Sequence, residues 1–118
     1  MICLHFKTLA FLTLITLHLG CERPLQKGEV NGEKIFKTAC ARCHGAEGVP
    51  DKSVVARIGV KPLNTARVEL ELSDEDIRQQ VLKGSANKQM PSFASALSEE
   101  QILAVIAHVR GLRKVNSK

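Results

Sequence analysis

The stretch KTACARCHG, residues 37–45, places two cysteines three positions apart and a histidine directly after the second one. If the segment is helical, Cys40, Cys43 and His44 occupy positions i, i+3 and i+4, so their side chains leave one face. Two thiols and an imidazole on one face are suited to a metal-binding site, a thiol redox pair or the C-x-x-C-H site of covalent haem attachment. The rest of the sequence has to separate these three possibilities.

Two of the three possibilities find little support elsewhere in the chain. A structural zinc site usually has four ligands, and the fourth would have to be Cys21 or His108, both of which are distant in sequence. A thioredoxin-like pair is expected within a βαβ pattern, and no segment shows a strand pattern of any strength. Haem attachment is therefore favoured, because two thiols can add to the two vinyl groups of a haem while the adjacent imidazole reaches the iron.

The first twenty residues have the character of an export signal. Lys7 is followed by residues 8–20, TLAFLTLITLHLG, which carry no further charge. This apolar run is shorter than the ~18 residues that a membrane-spanning helix needs, and it is typical of a secretory signal that is removed. We therefore predict a signal peptide over residues 1–20 and a protein on the periplasmic side of a membrane.

Cys21 comes directly after this segment, in a context that resembles a bacterial lipoprotein precursor. The resemblance implies that Cys21 becomes N-terminal and lipidated, which would anchor the protein to a membrane. His18 and Leu19 depart from the usual Leu-x-small pattern, so cleavage by an ordinary signal peptidase, which leaves Cys21 as a spare thiol, stays open. Residues 21–31 are rich in charge, Pro and Gly without an apolar period, and we predict a linker there.

Length and composition limit the function further. A chain of 118 residues has the length of one domain, and such a small domain gains much from burying a large cofactor. The formal net charge is +5, but Trp and Tyr are absent and the basic residues form no dense block, so nucleic acid is not an expected partner. No nucleophile or acid–base constellation is recognisable, and we predict that the protein is not an enzyme.

Hydrophobic periodicity predicts an all-α fold with three main helices and long loops. Asn31 is a candidate N-cap of a helix that runs through Cys43. Ser73 begins the second helix, and Ser98 with Gln101 forms a capping box at the start of the third. Residues 44–64 and 85–96 are rich in Gly, Pro and polar residues, and they are predicted to be mostly loop.

Met90 is the second candidate ligand of a haem iron. It is the sole methionine after Met1, and Pro91 favours an extended backbone at Met90. Core methionines fill gaps on periodic apolar faces, whereas the segment NKQMPS has no such period. A thioether together with His44 would give His/Met coordination, which raises the reduction potential in cytochromes c.

From about residue 31 to residue 114 the chain resembles a class I bacterial cytochrome c with one haem. The pieces GEKIF, CARCHG, KPL, QMPSF and LSEEQILAVIAHVRGL occur in the order of that family. The resemblance implies a cytochrome c domain over residues 32–118, with thioether bonds from Cys40 and Cys43 and with His44 and Met90 as axial ligands.

The same resemblance assigns further residues around haem c and its iron. The carbonyl of Pro62 would accept the imidazole proton of the proximal histidine, and Leu63 would pack on the haem. Gly32 and Phe36 match the pair where the first helix crosses the last one. His108 stands where the family usually has Tyr or Trp, and we expect it to take that aromatic place; a role as a replacement ligand or a pH-sensitive residue is the alternative.

The function implied by the resemblance is that of a monomeric carrier of single electrons between redox proteins. If Arg42, Lys61 and Lys88 surround the exposed haem edge, they would attract donors and acceptors with acidic docking surfaces. Two alternatives stay open: an electron-transfer subunit dedicated to one oxidoreductase complex, and a haem-based ligand binder or sensor if Met90 does not bind the iron.

Overall fold

The structure, a computed structural model, describes residue 28 and residues 30–115, with side chains up to residue 113. The predicted signal peptide, Cys21 and most of the predicted linker lie outside these residues. Within the described residues six helices follow one another: α1 Gly32–Ala39, α2 Ala41–His44, α3 Lys52–Ile58, α4 Ala66–Leu70, α5 Asp74–Lys83 and α6 Glu99–Val115. The described part of the chain contains no strand, so the all-α prediction is confirmed, with α1, α5 and α6 as the three main helices.

Side-chain caps fix the starts of the two longest helices. At α5 the Ser73 hydroxyl accepts a hydrogen bond from Asp76 N at 3.1 Å, and the Asp76 carboxylate accepts one from Ser73 N at 2.8 Å. At α6 Gln101 Oε1 accepts from Ser98 N at 2.9 Å, and Ser98 Oγ accepts from Gln101 N at 3.3 Å. Each reciprocal pair satisfies two backbone N–H groups that have no partner inside the helix. Both predicted starts are confirmed.

The helix that carries the CARCH motif is shorter than predicted. Asn31 Oδ1 caps it by accepting from Lys34 N at 3.0 Å, as expected, but α1 ends at Ala39. Cys40 leaves helical geometry with φ −116° and ψ −37°, and α2 begins at the next residue. The prediction of one continuous helix through Cys43 is therefore wrong. The Cys40 carbonyl still accepts from Cys43 N at 3.1 Å and from His44 N at 3.0 Å, so this turn keeps the motif residues together.

Two short helices were not predicted: α3 lies within the predicted loop of residues 44–64, and α4 follows that loop directly. Asp51 caps α3 by accepting from Ser53 N at 2.7 Å, and Gly59 ends it in the left-handed conformation with φ 66°. Thr65 caps α4 through Val68 N. Neither helix has more than seven residues, which is too short for an apolar period to stand out in the sequence.

The core lies where α1, α4 and α5 pack against α6. At the crossing of α1 and α6, a Cβ atom on Gly32 would lie only 2.0 Å from the carbonyl oxygen of Ala104, so the two backbones are in direct contact. The rings of Phe36 and His108 are 5.0 Å apart with a tilt of 49°, which confirms the predicted aromatic place of His108. The buried apolar residues are Ile35, Phe36, Val68, Ile77, Val81, Leu97, Ile102, Val105, Ile106, Val109 and Leu112.

Candidate cofactor site

A cleft of about 730 Å³ brings together residues from distant parts of the chain. Four of the residues predicted to contact the cofactor also line a smaller cavity of about 350 Å³: Cys40, His44, Leu63 and Met90. The volume of the cleft lies within the range that is usual for cofactor sites. All six residues predicted to hold or contact the cofactor line it: Cys40, Cys43, His44, Pro62, Leu63 and Met90.

The two cysteine thiols in this cleft are free and half-buried. Burial raises the pKa of the Cys40 thiol to about 11, and the neighbouring Cys43 adds to this effect. Because a buried apolar surrounding disfavours the thiolate, Cys40 stays protonated at neutral pH. A pair of reduced thiols is the form that covalent attachment through two thioether bonds requires.

The imidazole of His44 is held neutral inside the cleft. Burial lowers the pKa of this imidazole, whereas its polar contact with the backbone of Lys61 acts in the opposite direction and raises the pKa. His44 Nδ1 is buried and has no hydrogen bond of normal geometry with the residues that the structure describes. A neutral imidazole has a lone pair that can bind a metal ion, while its other nitrogen needs an acceptor. Pro62 follows Lys61 and lines the cleft; the bond to its carbonyl stays a prediction.

The loop that carries Pro62 and Leu63 is fixed to the segment after the CARCH motif. Leu63 N donates to the carbonyl of Gly48 at 2.8 Å. Gly48 is buried with φ 73°, and a Cβ atom there would lie 2.8 Å from Leu112 Cδ1 and 3.3 Å from Leu63 Cβ. Only glycine suits both this conformation and this space, so Gly48 sets how close the Leu63 loop comes to α6.

Met90 is held in the cleft by residues that the sequence analysis did not identify. Ser85 Oγ accepts from Met90 N at 2.9 Å, and Ser85 N donates to the Met90 carbonyl at 3.0 Å. Gln80 Nε2 lies 3.9 Å from Met90 Sδ and donates to the Gly84 carbonyl at 2.8 Å. The side chain of Gln80 is therefore a polar group that contacts the sulfur, and the hydroxyl and the backbone N–H of Ser85 close the loop behind it.

The geometry disfavours the two competing explanations of the cysteine pair. Within the part of the chain that the structure describes, no three His, Cys, Asp or Glu side chains are grouped as a metal ion would require. Cys40 lies between α1 and α2, Cys43 lies within α2, and the described residues contain no strand before them. Within the described residues, therefore, the cysteine pair is accompanied neither by a group of three metal ligands nor by a βαβ unit.

The charged residues are distributed unequally over the surface. Most acids are engaged with the protein itself, as in the ion pairs Glu33–Lys37, Glu71–Arg67, Glu99–Arg78 and Glu69–Arg113. Six exposed cations form no ion pair with any described residue: Arg42, Lys52, Arg57, Lys61, Lys83 and Lys88. Positive charge is therefore left uncompensated on a surface that includes Lys61 at the cleft.

None of the helices in the described residues combines the length and the apolar character that crossing a bilayer requires.

Comparison with known proteins points to one family. The family model described as cytochrome c oxidase, cbb3-type, subunit III, matches residues 29–109. Among solved structures, the KustC0563 c-type cytochrome is similar with a TM-score of 0.64 and 29% identity, over 70% of this chain and 98% of that one. A mutant of Kustc0563 is similar with a TM-score of 0.62 and 30% identity over the same shares. No curated protein matches the chain.

Proposed function

Because the chain belongs to the cytochrome c family that is described as cbb3-type oxidase subunit III, we propose that it carries single electrons between redox proteins on the periplasmic side. Membership of this family implies haem c with its iron as the covalent cofactor and haem-based electron transfer as the chemistry. Members of the family are typically carriers rather than enzymes. The observation that supports the residue-level proposal is the meeting in one cleft of six predicted residues from three separate segments of the chain.

The proposal gives each of these residues a role. Cys40 and Cys43 hold the haem through thioether bonds, His44 and Met90 are the axial ligands of the iron, and Leu63 contacts the haem. The free thiols, the neutral imidazole of His44 and its unpaired Nδ1 support these roles. Pro62 accepts the proton of that imidazole through its carbonyl, which fixes the ring orientation.

The bound haem supplies an iron that alternates between the ferrous and ferric states. The protein has to hold this group, limit water around it and keep both axial positions filled. Met90 is suited to the last task because its loop is fixed by Ser85 and its sulfur contacts Gln80. With two protein ligands no position remains for a substrate, and a thioether ligand favours the ferrous state.

The partner surface follows from the uncompensated cations. Arg42, Lys61 and Lys88 are exposed and belong to the CARCH turn, the Pro62 loop and the Met90 loop, three of the segments that line the cleft. A partner with acidic groups around its own redox centre would be attracted to this surface and oriented by it. Because such attraction is screened over about 8–10 Å at physiological salt, electron transfer should slow as the ionic strength rises.

The membrane part of the proposal concerns the N-terminal residues. We propose that residues 1–20 are a signal peptide, that Cys21 is lipidated and that residues 21–31 are a linker to the domain of residues 32–118. A Cys21→Ser variant should be released from membranes by washing, whereas the native protein should stay with them. Equal release of both proteins would contradict the anchor and leave the haem site unaffected.

Absorption spectra test the ligand set directly. The protein, matured with haem c, should show low-spin spectra in both oxidation states, and the ferrous spectrum should not change when carbon monoxide is added. A Met90→Ala variant should become high-spin and bind carbon monoxide. Gln89→Ala is the matched control, because Gln89 is the preceding residue and also lines the cleft. Carbon monoxide binding by the native protein would favour the ligand-binder alternative instead.

The family description favours one second candidate, a dedicated electron-transfer subunit of an oxidase-type complex. A free carrier and such a subunit need the same haem domain, so only the partner distinguishes them. Purification from native membranes should yield the isolated protein if it is a carrier. A stoichiometric partner that remains bound at high salt would favour the subunit instead.

A further inference from the structure

Arg110, on α6, connects three helices through one guanidinium group. Nη1 donates to the carbonyl of Val68 and lies 3.4 Å from that of Glu69, both in α4. Nη2 donates to the carbonyl of Leu72 at 2.6 Å, and Nε donates to Asp74 Oδ1, the first residue of α5, at 2.8 Å. The side chain is only 25% exposed. One residue therefore holds the end of α4 and the start of α5 against α6.

The segment that Arg110 holds forms one wall of the cleft. Val68 and Leu72 line both the main cleft and the smaller cavity. Val68 is also part of the buried core, with 6% of its surface exposed. The last carbonyl groups of a helix have no partner within it, which applies to Val68 in α4, and Leu72 lies in the connection between α4 and α5. Without Arg110 both carbonyls would need water. The most direct place for that water is between α6 and the cleft wall.

We propose that Arg110 is a positioning residue for the haem environment, acting through the backbone of Val68 and Leu72; this inference rests on the proposed function. Arginine suits the task because its planar group presents several donors in fixed directions, whereas lysine is a flexible point charge. The apolar shell around a redox centre controls access of water and thereby the reduction potential. If the wall formed by Val68 and Leu72 became less tightly held, water would enter the cleft. Because water stabilises the more highly charged ferric form, the reduction potential would fall.

The test compares Arg110→Lys with Arg78→Lys in the haem-containing protein. Arg78 is a matched control because it also joins two helices, bonding Glu99 at 2.7 and 3.0 Å from α5, and its side chain is 29% exposed. Neither Arg78 nor Glu99 lines the cleft. Both substitutions keep the net charge, so a difference between them cannot come from charge alone.

We expect Arg110→Lys to lower the ratio of reduced to oxidised protein several-fold at a fixed potential, and to speed hydrogen exchange of the amides at 66–72. Arg78→Lys should leave both readouts near native, even if the two variants lose similar thermal stability. Native potential and native exchange in Arg110→Lys would overturn the inference, as would equal changes in the two variants.

A second variant covers the case in which Arg110→Lys does not fold. Asp74→Asn removes the ion pair but leaves the bonds from Arg110 to the carbonyls, so it should keep the native exchange at 66–72. Fast exchange there in Asp74→Asn would overturn the inference, because the ion pair rather than the carbonyl bonds would then hold the wall. If the native protein lacks a low-spin spectrum, the proposed ligand set is refuted instead. The hydrogen-exchange experiment does not depend on that ligand set, so it still tests the role of Arg110.

Discussion

Replacing Gly32 by alanine should destabilise the protein strongly, although alanine is the better helix former. A Cβ atom at this position would lie 2.0 Å from the carbonyl oxygen and 2.5 Å from the carbonyl carbon of Ala104, and 3.2 Å from Val105 N. All three atoms belong to the backbone of α6, so no flexible side chain can move aside. An ordinary contact begins near 3.4 Å, and α1 would have to move by about 1.4 Å.

The cost of this movement follows from what packs at the crossing. Ile35 and Phe36 are 0% and 1% exposed, and Phe36 contacts the ring of His108 at 5.0 Å. Overpacking of a tight core typically costs about 1–3 kcal/mol. In a domain of this size each kcal/mol lowers Tm by about 4–8 °C, so Gly32→Ala should lower Tm by at least about 4 °C.

Thermal unfolding followed by circular dichroism measures this effect, and Gly111→Ala is the matched control. Gly111 lies in α6, and a Cβ atom there would meet nothing within 4 Å. Its replacement should raise Tm, by up to about 4–8 °C, because alanine in a helix is favoured over glycine by up to ~1 kcal/mol. A Gly32→Ala protein as stable as the native one would refute the close crossing of α1 and α6.

Three further predictions concern pH, potential and docking. Burial lowers the pKa of His108 in the folded protein, so the unfolded chain binds more protons below about pH 6.5 and the folded state loses stability there. His108→Phe removes this loss, so it should raise Tm by an amount that grows from pH 7 to pH 5. A gain in Tm that is the same at both pH values would contradict this explanation. Gln80→Leu removes the donor near Met90 Sδ and should lower the reduction potential, whereas an unchanged potential would show that the contact has no electronic effect. Arg42→Glu with Lys61→Glu should slow reduction by an acidic partner most at low salt, and an equal effect at all salt concentrations would exclude steering.

Much of the fold was predictable because capping residues and apolar periods coincide in α5 and α6. Ser73 and Ser98 each precede a segment whose apolar face is buried as expected, for example Ile77 in α5 and Ile102 in α6. The short helix α3 was missed because none of its residues is buried, so its sequence has no core-facing period. Asp51 before it and Gly59 after it were the available signals, and they were outweighed by the surrounding Gly and Pro residues.

The site was predictable only where a motif carries chemistry. Cys40, Cys43, His44 and Met90 were identified from reactive side chains at characteristic positions, and all four line the cleft. The break of the helix at Cys40 could not be predicted, because nothing in the residue types distinguishes a turn from a continued helix there. The contacts of Gln80, Ser85 and Arg110 were equally hidden, since they depend on which distant backbone groups the fold brings near.

The core and the cofactor cleft are therefore built by different means. The core consists of apolar side chains on periodic helices, whereas hydrogen bonds to backbone groups, some of them from side chains, fix the loops and one wall of the cleft. Leu63 is held by Gly48, Met90 by Ser85, and the wall at Val68 by Arg110. None of these bonds joins α1 to α6, so we expect a substitution in one of them to change a loop or wall of the cleft more than the packing between α1 and α6. Val68 belongs to both the core and the cleft wall, so the two are linked at that residue, whereas the loops of Leu63 and Met90 can vary without a change at the crossing of α1 and α6.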